Sequence, residues 1–125
     1  MDMTNFTAGF ARLDITPFMG VEMAGSWNAR GVQGVLDPLY VNAIAFGDGE
    51  KSAVLLVADL VGLRGMEREL RPQVAQAAGL SEDAVILHCT HTHTGPNVMA
   101  DPQYKEFFGR RMCDAAIMAL ADRKQ

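Results

Sequence analysis

Hydrophobic and polar positions mark out strands first and helices later along this chain. Residues 39–46 (Leu-Tyr-Val-Asn-Ala-Ile-Ala-Phe) are rich in aromatic and β-branched side chains and predict a strand. Gly47-Asp48-Gly49-Glu50 follows, and its Asp-Gly pair is a hairpin signal. The returning run, residues 53–58 (Ala-Val-Leu-Leu-Val-Ala), is apolar at every position. Such a strand belongs inside a sheet with both faces covered. Upstream, residues 7–15 predict a first strand with imperfect alternation, its apolar positions being Ala8, Phe10 and Leu13. Asp14-Ile15-Thr16-Pro17 closes it, with Asp14 as a turn former and Pro17 removing a ladder donor. Residues 21–25 suggest a short extended piece.

The spacing changes after residue 65. Leu70, Val74, Ala77 and Ala78 make one helical stripe over residues 66–78, and Gly79 stops it. Pro72 leaves two readings open: a helix kinked there, or one that begins there. Residues 84–89 return to an apolar strand. Strand, helix and strand in succession make a βαβ unit with a right-handed crossover, so the two strands run parallel. The last element is a helix over residues 102–121, with Asp101 as N-cap and Pro102 as first residue. Tyr104, Phe108, Met112, Ala115 and Ala119 form its apolar stripe, Cys113 is a small core residue, and Arg123 and Lys124 suit its C-terminal dipole. The prediction is a single α/β domain over residues 1–125. Its mixed sheet has about four or five strands, with a hairpin (39–58), a βαβ unit (53–89) and the long C-terminal helix.

A chain of 125 residues, 49% hydrophobic and 21% charged, supports one folded domain and argues against disorder. The net charge of −4 gives no reason to expect nucleic acid as a partner. Two cysteines make no disulfide framework. The polar start, Met1-Asp2-Met3-Thr4-Asn5, lacks the pattern of a signal peptide, and no run is long enough for a transmembrane segment. A cytoplasmic location is the default expectation.

Candidate chemistry gathers at Cys89-Thr90-His91-Thr92-His93-Thr94-Gly95-Pro96-Asn97. This stretch leaves a buried strand and holds two of the three histidines. In extended backbone, residues i and i+2 share a face about 6.5–7 Å apart. His91 and His93 would then share one, with Cys89 beside them. Two such imidazoles are a half-site for Zn²⁺ or a similar metal; the plainer reading is two polar turn residues. His88 falls on the opposite face and reads as a core or interface histidine. The parallel crossover brings Asp59, at the end of the 53–58 strand, to the same sheet edge, where open α/β sheets bind ligands. Asp59 is thus a candidate metal ligand, partner of a ligand, or base; equally it reads as a turn residue. In the 26–37 loop, Trp27 and Arg30 either contact a ligand or, respectively, plug the core edge and pair with a carboxylate.

Several stretches together resemble the N-terminal part of the neutral (non-lysosomal) ceramidase family. They are Ala8-Gly9-Phe10-Ala11-Arg12-Leu13-Asp14-Ile15-Thr16-Pro17, Met23-Ala24-Gly25, Asn28-Ala29-Arg30-Gly31, Leu36-Asp37-Pro38-Leu39-Tyr40 and Val57-Ala58-Asp59-Leu60. Thr90-His91-Thr92-His93-Thr94-Gly95-Pro96 is similar to the family's Thr-His-Thr-His-Ser-Gly-Pro. Ser26 departs from it, standing where the family usually carries Tyr. The resemblance implies a hydrolase that splits a ceramide-like lipid amide into a fatty acid and an amine, using Zn²⁺ held by two His, a Glu and a Tyr. His91 would be a zinc ligand. His93 would sit beside the metal as a substrate contact, an oxyanion contact or a group supporting a ligand, and it counts with His91 as a candidate metal residue. Residues 36–41 resemble a region where some members bind Ca²⁺ through backbone oxygens. Family enzymes are several times longer, so the other ligands and the nucleophile would lie beyond Gln125. An extracellular or periplasmic location would also follow. The alternative expectation is a non-catalytic small α/β domain for protein interaction, or a homo-oligomer that completes the site between copies.

Overall fold

The Asp-Gly turn and the apolar runs on either side of it build the centre of the sheet. Asp48 accepts from the Glu50 and Lys51 backbone N–H groups through Oδ1, at 2.9 and 2.7 Å, which closes the hairpin. The computed structural model describes residues 5–28 and 30–125. Its strands are β1 (Thr7–Asp14), β2 (Tyr40–Gly47), β3 (Ser52–Ala58) and β4 (Val85–Cys89), and its α-helices are α1 (Glu67–Ala78) and α2 (Pro102–Ala121). Sheet order is β1-β2-β3-β4. β1 and β3 pair antiparallel with β2, and β4 pairs parallel with β3. The mixed α/β sheet with its long final helix is therefore present, with four strands among the described residues.

The strand periodicity sets which residues meet the helices. Val41, Ala43 and Ala45 of β2, and Val54, Leu56 and Ala58 of β3, are all buried. Over them lies α2, which crosses β1, β2 and β3, while α1 covers β4 and packs against α2. Tyr104, Phe108, Met112, Ala115 and Ala119 are the buried stripe of α2, and Cys113 is buried with them. The Asp101 carboxylate caps the helix by accepting from Tyr104 N–H at 2.9 Å. At the other end Arg123 Nε donates to Leu120 O at 2.9 Å. Pro72 lies inside α1, and Gly79 (φ 68°) ends that helix in a left-handed cap donating to Ala75 O.

The second face of the sheet departs from expectation. Phe10, Ile44, Leu55 and Ile86 are in register across all four strands. Phe10 and Ile86 are 61% and 51% exposed, and Leu55 is half-buried. Both helices pack on the other side, so among the described residues β3 is covered by helices on one face rather than two. His88 shares this open face and is exposed, so it is not a core histidine.

Tyr104 links the core to the loops. Its hydroxyl, in a fully buried residue, donates to Ile15 O at 2.6 Å. Burial first, and the Asp14 charge second, push its ionisation well above the usual 10.0. Burial likewise raises the Cys89 and Cys113 thiols above 9.0. In each case the unfolded chain ionises at lower pH than the native one. Their contribution is complete below about pH 9 and is lost as pH rises further. Tyr104→Phe should lower unfolding free energy by roughly 1–3 kcal/mol at pH 7. It should also flatten the alkaline loss, as urea titrations at pH 7 to 11 would show; an unchanged alkaline slope would contradict this assignment.

Candidate functional site

The parallel β3–β4 pairing carries on past the ends of both strands. Thr90 N–H donates to Ala58 O at 3.0 Å, and Thr92 N–H donates to Leu60 O at 3.1 Å. Between them His91 has a left-handed backbone, φ 64°. The extended geometry expected to align the two histidines is therefore broken at the first of them. The reason is tertiary: two backbone bonds to the Ala58–Leu60 segment fix residues 90 and 92, and His91 takes up the turn between them.

The two rings meet nonetheless. Their centroids are 4.6 Å apart, with planes at 78°. His91 Nδ1 lies 2.8 Å from Val61 O, and His93 Nδ1 lies 2.8 Å from Gly25 O. A carbonyl oxygen only accepts, so each Nδ1 carries the proton in these bonds. That leaves Nε2 of each neutral ring with its lone pair, as a metal-binding imidazole requires. Both residues are exposed. The donor type and this support from backbone carbonyls fit Zn²⁺, although among the described residues no cluster of three or more His, Cys, Asp or Glu could hold a metal.

Asp59 reaches the same edge, placed by its own backbone N–H donating to Tyr40 O at 2.9 Å. Its Oδ2 accepts from Tyr40 N–H at 3.0 Å and its Oδ1 from Thr90 Oγ1 at 3.1 Å. Thr90 Oγ1 also lies 2.8 Å from Thr92 Oγ1. The carboxylate thus ties β2 to the turn that carries the histidines. Cys89, at the end of β4, is half-buried with a free thiol.

A second segment braces the turn from the other side. Met23 pairs with Pro96, Ala24 N–H donates to Gly95 O at 2.9 Å, and Asn97 N–H donates to Glu22 O at 2.7 Å. Asn97 Nδ2 adds a bond to Glu22 Oε1 at 3.0 Å. Around this brace are two hollows. One, of about 470 Å³, is lined by Met23, Ala24, Ser26, Trp27, Asn28, Arg30 and His93. The other, of about 310 Å³, is mostly apolar and includes Val32, Val35, Leu36, Leu39 and Thr94. Trp27 is fully exposed in the first and does not plug the core. The carbonyls of Gly25 and Val61 escape a reading of the sequence. A glycine after Met23-Ala24 hints at an unusual backbone, but nothing local names its partner 68 positions away.

The fold has solved counterparts. Neutral ceramidase from Pseudomonas aeruginosa matches 96% of this chain with a TM-score of 0.79 at 17% sequence identity. The fold of this chain is therefore like that of one part of neutral ceramidase. A ceramidase complexed with C2 matches the same share with a TM-score of 0.71 at 18% identity. The chain spans 22% of each ceramidase chain. No family model matches the sequence, and no curated protein matches it. No helix among the described residues is long and apolar enough to cross a membrane.

Proposed function

We propose that this chain supplies the histidine half of the metal site in a ceramidase-type, zinc-dependent amide hydrolase. The substrate is a lipid amide of the N-acylsphingosine kind, and the products are a fatty acid and an amine. The observation that carries this reading is the His91–His93 pair, two rings 4.6 Å apart, each held at Nδ1 by a backbone carbonyl. The ceramidase fold and the apolar hollow beside Thr94 support it.

His91 Nε2 is the proposed zinc ligand and His93 Nε2 a second ligand or substrate contact. Bound Zn²⁺ would supply Lewis-acid polarisation of the amide carbonyl. Asp59 holds the turn at the ends of β3 and β4, and Val61 and Gly25 orient the rings. Such a site needs one or two further donors, and among the described residues no third His, Cys, Asp or Glu joins the pair. The bare sheet face favours a second reading, a non-catalytic interaction domain in which the histidine turn has no ligand.

Zinc titration by calorimetry separates the two. The wild-type chain should bind Zn²⁺ weakly, as a two-donor site does. His91→Ala should weaken binding by more than the roughly 10- to 100-fold expected when only a ligand's supporting partner is lost. Equal zinc affinity in wild type and in the His91→Ala/His93→Ala double variant would overturn the metal reading.

A further inference from the structure

Gly25 makes an unusual approach to His93. Its carbonyl accepts a hydrogen bond from His93 Nδ1–H, and the residue itself has φ +90°. A Cβ built there would lie 2.9 Å from His93 Nδ1 and 3.1 Å from His93 Cγ. A side chain at position 25 would therefore push against the ring that the carbonyl holds. The segment before it is fixed to the histidine turn by the Ala24–Gly95 and Asn97–Glu22 bonds, so the carbonyl is presented by braced backbone.

We infer that Gly25 is a positioning residue that locks His93 in the Nδ1–H tautomer, so that His93 acts at the site through a lone pair on Nε2. A neutral ring in that form accepts a proton or binds a cation at Nε2 and donates nothing there. This excludes one role that the family resemblance left open, donation to an oxyanion by neutral His93. The role at the site rests on the proposed function; the tautomer does not, and it is read on the metal-free chain.

The test is a long-range ¹H–¹⁵N spectrum of the ¹⁵N-labelled chain above the histidine titration range. Three histidines give three assignable ring patterns. His93 and His91 should show a protonated Nδ1 and a bare Nε2. Exposed His88 should show the Nε2–H form that unconstrained histidine favours. Gly25→Ala should return His93 to that unconstrained form while His91 keeps its pattern and certifies the fold. Gly20→Ala is the control, because Gly20 also has positive φ (+83°) but a Cβ added to it would meet nothing within 4 Å. It imposes comparable backbone strain with no ring contact and should leave His93 unchanged.

A wild-type His93 protonated at Nε2 overturns the inference outright, and that reading needs no variant to fold. So does an unchanged His93 pattern in folded Gly25→Ala, or an equal change in Gly20→Ala. Zinc binding lost on His91→Ala alongside a wild-type Nε2–H His93 would leave the hydrolase proposal standing and remove this one.

Discussion

Gly9→Ala is expected to destabilise the domain by about 3 kcal/mol, and Gly9→Val by more. Gly9 is on β1, facing α2. A Cβ there would lie 2.1 Å from Ala119 O, 2.6 Å from Arg123 N and 2.9 Å from the Asp122 carbonyl carbon. All three are backbone atoms, so no side-chain rotation relieves the contact. The helix end cannot simply lift away. Residue 124 is paired with β1 through Ala8 N–H to Lys124 O at 3.1 Å and Lys124 N–H to Ala8 O at 3.0 Å, and Asp122 Oδ2 accepts from Phe10 N–H at 2.9 Å. Separating the layers would break these bonds and loosen Ala115, Ala116 and Ala119, all fully buried. For a domain of this size the loss corresponds to a melting temperature lower by roughly 10–15 °C. Gly109→Ala is the comparison, since the nearest atoms to its new Cβ outside its own helix would be the end of the Gln73 side chain, at 3.2 and 3.3 Å, and Met66 Cε at 3.5 Å. A Gly9→Ala protein melting within about 2 °C of wild type would show that α2 is less tightly seated than these distances require.

The reach of local sequence pattern ends where that contact begins. Strand periods, the Asp-Gly turn, the βαβ crossover and the Asp101 cap are properties of a few neighbouring residues, and each is readable from them. Gly9 reads as part of a strand, but its seat under Ala119 depends on how α2 returns across the sheet. The same holds at the histidine turn. Sequence spacing brings His91 and His93 together for a reason that the structure replaces. Extended backbone would have placed both on one face, whereas His91 is left-handed and each ring is turned by a carbonyl far along the chain. A carbonyl belongs to every residue alike, so no residue type announces it. The open sheet face escapes the pattern for a related reason. The apolar run of β3 states what its side chains avoid, and only the full topology shows that both helices lie on one side.

Asp59→Ala is expected to cost about 2 kcal/mol and to disorganise the histidine turn, whereas Asp59→Asn should leave both nearly intact. Two bonds would go with the carboxylate, one from Tyr40 N–H and one from Thr90 Oγ1. Tyr40 N–H, in a partly buried setting, would lose its partner, and that loss alone is worth roughly 1–3 kcal/mol. Thr90 would keep its backbone bond to Ala58 O but lose the side-chain tether that sets its hydroxyl against Thr92. Since His91 lies between these two threonines, its ring should move relative to His93. Asparagine retains an oxygen for Tyr40 N–H and offers an amide to the Thr90 hydroxyl, which can accept as well as donate. The pair of variants therefore separates a positioning carboxylate from a chemical one. If Asp59 positions the turn, the Asn protein keeps its stability, its His91–His93 ring contacts by NMR and its zinc affinity, and the Ala protein loses all three. If Asp59 is instead a metal ligand, Asn should lose zinc affinity while the fold and ring contacts persist. An Ala variant with wild-type stability and unchanged ring contacts would remove Asp59 from the architecture of the site.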